Sequence, residues 1–276
     1  MPVTPVPPVV DAHLSQVPVA ASNAVPAKGA APSLRELLPT LAQCSVSAVV
    51  LVQAGFGTIQ ARCLLEAART SDGLVRGVVA DVDLAAADAI PTLTRLSRDP
   101  LLKAVRLSLV GPDAAPRARD EGIARTLGAL PRLGLRLDLL AGPAELPHAA
   151  ALAQRHPDLA LALEHAGLPD IAGGHEAAWL TPLRSLAALP RVRCKVSGLV
   201  RRAGVGWTID TLRPWFDNLH ALFGAPRLMW GSDGPDLAPA ATYRSWHAAT
   251  VALTQGWSAD DRGALMGATA RRFYGL

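Results

Sequence analysis

AVVLVQAGFGTIQARCLLEAARTSDGLVRGVVAD, residues 48–81, contains the repeating unit that determines the fold. Two short runs rich in Val and Leu, Ala48–Gln53 and Val75–Asp81, flank a segment with helical spacing, Gln60–Arg69. Continuous apolar runs of this length are typical of parallel strands that are buried on both faces. The stretch therefore predicts a strand–helix–strand unit of a parallel sheet.

The same alternation continues along the rest of the chain. Segments rich in Ala, Leu and Arg lie between further apolar runs, and Ser33 with Glu36 forms a capping-box pattern before the first of them. Eight strands that alternate with helices close into a barrel without free edges. The remaining runs are Pro8–His13, Lys103–Leu109, Leu135–Leu139, Leu159–His165, Arg193–Gly198 and Leu228–Asp233, and other helical segments are Leu34–Leu41, Ile123–Leu130 and Leu146–Gln154.

These elements predict an α/β fold, a single-domain (β/α)8 TIM barrel over residues 9–276. The Pro-rich residues 1–8 are expected to form an extended N-terminal segment, and Pro18–Pro32 a loop over the end of the first strand. A chain of 276 residues with 50% hydrophobic content can bury one large core of this kind.

Composition narrows the class of partner. A net charge of +4, scattered Lys and Arg residues and 4% aromatic residues argue against nucleic acid and point weakly to anionic ligands. No apolar run approaches the roughly 20 residues of a membrane span, and the N-terminus lacks the pattern of a secretory signal. We therefore expect a cytoplasmic protein with a small-molecule partner and no membrane contact, as a monomer or a homodimer.

Cysteine spacing gives no sign of a disulfide framework or a zinc cluster. Cys44, Cys63 and Cys194 are odd in number and contain no CxxC pair. They are expected to be ordinary buried thiols of a reducing compartment.

Polar residues stand at the ends of the predicted strands. In a (β/α)8 barrel these ends surround one mouth, where the active site lies. Taken singly, an Asp in such a position is more often a helix cap or a turn residue, but the joint pattern favours a functional site. The residues are His13, Gln53, Asp81, Arg106, Ser108, Asp138, His165, Ser197 and Asp233.

Several longer motifs give the sequence a resemblance to the amidohydrolase-2 family of barrel hydrolases. Their order and spacing are most similar to the sugar-lactonase branch, which includes L-fuconolactonase and L-rhamnonolactonase and is related to the 2-pyrone-4,6-dicarboxylate lactonases. The resemblance extends from about Val9 to the C-terminus. Besides the stretch quoted above, the motifs are LALEHAGLP (161–169), LPRVRCKVSGLVRRAG (189–204), LRPWFDNLHALFGAPRLMWGSD (212–233) and DDRGALMGATARRFYGL (260–276).

The resemblance implies hydrolysis of a lactone at the barrel mouth. His13 matches the first His of the family's HxH motif, His165 matches the strand-six His, and Asp233 matches the strand-eight Asp. Arg106 matches a position that often faces substrate. These matches imply that Asp233 activates water as a general base, while His13, His165 or a metal polarises the carbonyl group.

Four departures from the family motifs bear on metal and substrate binding. Ser15 replaces the second His of HxH, Leu168 replaces a Lys and Gly234 replaces a Trp, while Arg201 and Arg202 stand where the family is acidic. Arg is suited to binding carboxylates, so a carboxylate-bearing or sugar lactone is the expected substrate. The expected substrate-binding residues are Arg106, Gln53, Ser108, Arg201 and Arg202.

The change at Ser15 predicts that no metal is required. Residues two apart on a strand face the same side, so this strand presents one imidazole and one hydroxyl, and Ser is a poor zinc ligand. A weak zinc or manganese site formed by His13, His165 and Asp233 is the most that we expect. Glu164 is not expected to replace the missing imidazole as a metal ligand, because it neighbours His165 and adjacent strand residues face opposite sides.

Other functions find less support in the sequence. Gly55–Gln60 follows a strand in the manner of a dinucleotide-binding loop, but the third glycine is replaced by Gln60. No GxSxG elbow is present, and Cys194–Gly198 lacks the further His that related decarboxylases use. The main alternative is a catalytically degenerate barrel that binds a small anionic ligand without turnover. Lys195 shares a strand face with Ser197 and requires a buried acidic partner, which the sequence does not identify.

Overall fold

Eight parallel strands form one sheet, in which each strand pairs with the next along the sequence. The computed structural model describes residues 8–16 and 33–276. Every strand overlaps one of the predicted apolar runs. The strands are β1 (Val9–Gln16), β2 (Val46–Gln53), β3 (Val75–Ala80), β4 (Leu102–Ser108), β5 (Arg136–Leu140), β6 (Leu161–Leu163), β7 (Val192–Val196) and β8 (Leu228–Trp230).

The sheet closes where the chain beyond β8 meets β1. The backbone N–H of Asp233 donates to the carbonyl of His13 at 2.9 Å, and the N–H of Ser15 donates to the carbonyl of Gly234 at 2.8 Å. A parallel bridge between Leu14 and Gly234 completes the contact. The predicted single-domain (β/α)8 barrel is therefore confirmed.

Helices connect successive strands and form the outer layer. The predicted capping box is present, since the Ser33 hydroxyl accepts from the N–H of Glu36 and the Glu36 carboxylate accepts from the N–H of Ser33. The predicted segments 1–8, apart from Pro8, and Pro18–Pro32 lie outside the described residues. No helix in the described part of the chain is both long and apolar enough to span a membrane. The helices are α1 (Leu34–Gln43), α2 (Thr58–Arg69), α3 (Ala89–Leu96), α4 (Ala114–Arg119), α5 (Glu121–Ala129), α6 (Leu146–Arg155), α7 (Glu176–Ala187), α8 (Leu199–Ala203), α9 (Ile209–Phe223), α10 (Tyr243–Leu253), α11 (Ala259–Gly263) and α12 (Thr269–Tyr274).

Alternate strand residues pack on opposite sides of the barrel wall. Outward Leu and Val side chains bury against the helices, whereas small inward residues such as Ala48 and Ala162 pack inside the barrel. Phe273 and Tyr274 of α12 join this inner cluster. Arg136, the first residue of β5, donates to the carbonyl of Phe273 at 2.7 Å. The C-terminal residues therefore fill the end of the barrel opposite the mouth.

The three cysteines are free thiols, as the sequence predicts. Cys44 and Cys194 are buried, but Cys63 is only partly buried. Burial raises the pKa of the Cys194 thiol well above its ordinary value, so Cys194 is a core residue with little thiolate character.

A β-bulge in β1 lies between Asp11 and Leu14 and includes His13. Asp11 pairs with Val49 of β2 and Leu14 pairs with Leu51, so three steps along β1 match two along β2. A bulge of this kind changes the direction of the side chains next to it. It allows His13 to enter the barrel mouth while Leu14 packs outward against the helices.

The buried carboxylate of Asp11 connects three elements around the closing seam. Its Oδ1 accepts from the N–H groups of Ser232 at 2.9 Å and His13 at 3.1 Å, and its Oδ2 accepts from the Tyr243 hydroxyl at 2.9 Å. Buried polar groups of this kind are stable only when they are paired. Asp11 therefore joins β1 to the segment after β8 and to α10.

We expect Asp11→Ala to lower the free energy of unfolding by about 3 kcal/mol, because it leaves buried donors without an acceptor. The measurement is chemical denaturation of the purified variant. The control is Asp158→Ala, which removes an exposed carboxylate and should change stability by less than about 0.5 kcal/mol. A loss below about 1 kcal/mol for Asp11→Ala would contradict this role.

Candidate active site

His13, His165 and Asp233 come together at the carboxyl ends of the strands. One ligand-type atom from each lies within 4.8 Å of the others. The rings of His13 and His165 lie 4.4 Å apart between centroids, and His165 Nε2 lies 3.8 Å from Asp233 Oδ1. All three residues are buried. The structure thus forms one compact site from residues that are far apart in sequence.

Left-handed backbone conformations deliver two of these side chains. β6 ends at Leu163, and the next residues include His165 at φ 50° and Ala166 at φ 54°. Asp233 follows β8 with φ 61°. Non-glycine residues enter this region at an energetic cost and are enriched at functional sites. At Gly198 an added Cβ would lie 3.0 Å from His165 Nδ1, so a glycine leaves room for this imidazole.

The prediction that Glu164 and His165 face opposite sides is wrong. Side chains two apart on a strand face the same side, so Glu164 points inward like Ala162. The left-handed turn that follows then brings His165 to the same cavity. Glu164 is fully buried, and its Oε2 accepts from Arg106 Nε at 2.9 Å and Nη2 at 2.7 Å. Glu164 Oε1 has no hydrogen-bond partner in the described part of the chain and lies 3.7 Å from His13 Nδ1.

Lys195 points into the barrel, and its acidic partner is Asp138 of β5. Lys195 Nζ lies 2.5 Å from Asp138 Oδ2, and both side chains are fully buried. The Tyr274 hydroxyl donates to the same carboxylate at 2.8 Å. A buried ion pair of this kind requires such additional hydrogen bonds to offset the loss of hydration. Lys195 Nζ also lies 3.3 Å from His13 Nδ1.

Both site imidazoles are held in neutral form at neutral pH. Burial, followed by the charge of Lys195, lowers the pKa of His13 well below its ordinary value. Burial also lowers the pKa of His165, although Asp233 and Glu164 oppose the shift. The His165 ring is oriented by Ser197, whose Oγ lies 2.9 Å from Nδ1. Neutral imidazoles of this kind present both a donor and an acceptor nitrogen.

Asp233 has one oxygen that is occupied and one that is free. Arg201 Nη1 donates to Asp233 Oδ2 at 3.1 Å. Asp233 Oδ1 is buried and has no hydrogen-bond partner among residues 8–16 and 33–276. Burial raises the pKa of the carboxyl, while His165 and Arg201 work against the shift. A carboxylate with a raised pKa is a stronger base than an ordinary Asp.

Three Arg residues lie near the carboxyl ends of the strands, and two of them contact carboxylates of the site. Arg106 is largely occupied by Glu164. Arg117 of α4 donates from Nε to the Ser108 carbonyl at 3.1 Å and is exposed. Arg201 is 46% exposed and therefore reaches solvent at the rim. Arg117 was not among the sequence-predicted residues, because it lies within a helix and belongs to no recognised motif.

Two of the predicted substrate-binding residues are engaged elsewhere. Gln53 is fully buried, and its amide donates to the carbonyls of Gly57 and Asp81 and accepts from the N–H of Asp81, each at 3.1 Å. Arg202 donates from Nε to the carbonyl of Pro169 at 2.9 Å. Gln53 thus supports the ends of β2 and β3, and Arg202 supports the loop after β6. Ser108 is partly buried at the end of β4, and its Oγ accepts from the N–H of Val110 at 3.3 Å.

A weak divalent metal is compatible with His13, His165 and Asp233. The free, buried Asp233 Oδ1 and the oriented imidazole of His165 are suitable ligand groups. Ser15 is not part of this cluster, and the Lys195 amine lies 3.3 Å from His13 Nδ1.

Asp81 ends β3 at the same mouth and provides a test of the local electrostatics. Burial, only partly offset by Arg106, raises the pKa of Asp81 to about 6, compared with about 3.9 in an unfolded chain. The folded state therefore binds this proton more tightly, and the ionised carboxylate lowers stability increasingly as the pH rises from about 4 to above 6.

We expect Asp81→Asn to raise the free energy of unfolding by about 1–2 kcal/mol at about pH 8, with allowance for partial exposure. The difference from wild type should shrink as the pH approaches about 4. Chemical denaturation across this pH range measures it, with the exposed Asp83→Asn as the control. A pH-independent effect, or one equal to that of Asp83→Asn, would show that Asp81 is not perturbed.

Sequence comparisons agree with this geometry. Residues 10–276 match the family model described as amidohydrolase. An L-fucono-1,5-lactonase from Burkholderia ambifaria is 36% identical over 202 residues, which cover 73% of this chain and 69% of that protein. A second L-fucono-1,5-lactonase, from Burkholderia multivorans, is 34% identical over 256 residues, which cover 87% of this chain and 84% of that protein.

Comparison with solved structures gives the same assignment. An amidohydrolase from Burkholderia multivorans superimposes with a TM-score of 0.88 at 30% identity, covering 97% of this chain and 99% of that one. Its crystal structures include one with bound HEPES and one with bound zinc. The match to the family model covers nearly the whole chain, and the barrel with its His, His and Asp cluster accounts for the motifs noted in the sequence. This chain belongs to the amidohydrolase family and is a hydrolase.

Proposed function

We propose that this protein is a lactonase that opens a sugar lactone or a carboxylate-bearing lactone by attack of water. The observation that carries the proposal is the free Oδ1 of Asp233, which is buried beside two neutral imidazoles. A carboxylate oxygen without a partner in such a site is suited to accept a proton from water. The similarity to two L-fucono-1,5-lactonases supports a sugar lactone as the substrate class.

The proposed reaction uses the two oxygens of Asp233 differently. Oδ2 is held by Arg201, which leaves Oδ1 to take a proton from water. The resulting hydroxide adds to the lactone carbonyl carbon and forms a tetrahedral intermediate with a negative oxygen. The bond from that carbon to the ring oxygen then breaks, and the ring oxygen takes up the proton held by Asp233. The product is the open-chain hydroxy acid.

His13 and His165 are proposed to stabilise the negative oxygen. N–H donors directed at a developing oxyanion lower the barrier by several kcal/mol when they are preorganised. Ser197 orients one ring, and Lys195 contacts the other. A bound divalent ion would supply the same polarisation of the carbonyl. Because two imidazoles are present for this role, we propose that no metal is required.

Arg201 and Arg117 are the proposed binding groups for substrate oxygens or a substrate carboxylate. Both guanidinium groups are exposed, and each uses few of its five N–H donors within the described residues. Arg106 contributes less, because Glu164 neutralises it. Gln53 and Arg202 are assigned to structural support, and Ser108 to the position of Arg117 through its carbonyl group.

We expect Asp233→Asn to lower kcat/KM for lactone hydrolysis by about 100-fold or more, because it removes the base and keeps the shape. The assay is a pH-indicator screen of sugar and dicarboxylate lactones, followed by steady-state kinetics on the best substrate. The matched control is Asp158→Asn, which changes an exposed carboxylate in the segment before β6 and should lower the rate less than about threefold.

Two outcomes would overturn the assignment. A wild-type rate for Asp233→Asn would exclude Asp233 as the base. No turnover in the panel, combined with an increase in melting temperature on adding lactones or hydroxy acids, would favour the alternative of a degenerate barrel that binds a small anionic ligand. The replacements at Ser15, Leu168 and Gly234 are the sequence features that fit this alternative.

Metal content gives an independent prediction. We expect protein purified without added metal to carry well under one equivalent of zinc or manganese, because Ser15 leaves the cluster with one imidazole fewer than the family motif. Ser15→His should raise zinc occupancy by about 10-fold or more. Elemental analysis measures both proteins, and Ser15→Ala serves as the control. A stoichiometric metal that resists chelators in the wild type would contradict the prediction.

A further inference from the structure

Lys195 of β7 places its amine in the barrel centre, where two close contacts fix its position. Its Nζ lies 2.5 Å from Asp138 Oδ2 and 3.3 Å from His13 Nδ1. Neither Lys195 nor Asp138 is exposed to solvent. The reaction proposed above does not use Lys195 directly. A buried cation is costly to maintain, which calls for a role beyond packing.

Hydrogen-bond chemistry fixes the direction of the contact with His13. An ammonium group has three donors and no acceptor, so Lys195 can only donate to His13 Nδ1. The competing acceptor for an Nδ1–H group, Glu164 Oε1, lies 3.7 Å away, which is beyond hydrogen-bond distance. His13 Nδ1 therefore keeps its lone pair, and the ring proton of the neutral imidazole resides on Nε2.

We propose that Lys195 is a positioning residue that holds His13 as the Nε2–H tautomer, and thereby makes His13 a hydrogen-bond donor rather than a metal ligand at Nε2. A metal ligand must offer a lone pair, and ligating imidazoles normally donate their other N–H to an acceptor. Here the other nitrogen faces a donor. Metal binding through Nε2 would move the ring proton to Nδ1, where it would oppose the Lys195 ammonium.

The C-terminus takes part in this arrangement. Tyr274 donates to both oxygens of Asp138, at 2.9 Å to Oδ1 and 2.8 Å to Oδ2, and its ring lies 5.6 Å from Lys195 Nζ. These contacts hold Asp138, which in turn holds Lys195 against His13. The donor role of His13 in catalysis rests on the proposed lactonase function, whereas its tautomer is a property of the protein without substrate.

The test is the tautomer of His13 in the full-length protein at neutral pH, read from two-bond proton–nitrogen correlation spectra of isotope-labelled protein. The His13 signals are assigned by their loss in His13→Gln. We expect a protonated Nε2 and an unprotonated Nδ1 in the wild type. A wild-type His13 with its proton on Nδ1 would overturn the proposal, whatever the variants do.

The double variant Lys195→Met/Asp138→Asn removes the ammonium without leaving a buried carboxylate unpaired. Glu164 Oε1 then becomes the acceptor available to Nδ1, so the proton should move to Nδ1. Zinc affinity, measured by competition with a chromophoric chelator, should rise by about 10-fold or more. Lys103→Met is the matched control, because the Lys103 amine donates to the carbonyl of Gly275 at 3.0 Å and has no part in this arrangement; it should keep the wild-type tautomer and zinc affinity.

An unchanged tautomer and unchanged zinc affinity in the double variant would also overturn the proposal. If the double variant does not fold, the wild-type spectrum still decides the matter. None of these measurements uses a lactone. If His13 has the expected tautomer but the protein hydrolyses no lactone, only the proposed function is rejected. If the protein hydrolyses a lactone but His13 carries its proton on Nδ1, only this inference is rejected.

Discussion

Charge balance inside the barrel is the constraint on which the site depends. Two cations, Lys195 and Arg106, are each paired with a carboxylate, Asp138 and Glu164. Buried charges that lose their partner destabilise a protein by several kcal/mol, so these four side chains must remain paired. Burial, followed by the charge of Lys195, lowers the pKa of His13 well below its ordinary value and so opposes a further positive charge at this point. The site chemistry follows from the resulting neutrality of His13.

Local departures from regular strand geometry place His13, His165 and Asp233 beside these two ion pairs. A bulge directs His13 into the mouth, and left-handed residues deliver His165 and Asp233. The closing seam between β1 and the segment after β8 fixes the distance between His13 and Asp233, since their backbones share a hydrogen bond of 2.9 Å. The barrel thus brings one carboxylate and two imidazoles together at its mouth.

The sequence predicted the eight strands, the closed barrel and the convergence of His13, His165 and Asp233, because buried parallel strands have a clear apolar pattern and their carboxyl ends meet at one mouth. It did not predict the inward position of Glu164 beside His165, since a left-handed turn interrupts period two at that point. It did not identify Asp138 as the partner of Lys195, or Tyr274 behind it, because those contacts join residues that are distant in sequence. Gln53 was predicted to bind substrate, but its amide is enclosed by backbone groups, and a strand-end position does not reveal that difference.

We propose that the protein's own groups carry out lactone hydrolysis at this site without a metal. The most direct measurement is kcat/KM for the best sugar lactone with protein that has been depleted of metal and verified by elemental analysis, before and after one equivalent of zinc is added. We expect full activity in the metal-depleted protein and no increase when zinc is added. Activity that is absent in the depleted protein and restored by zinc would contradict it.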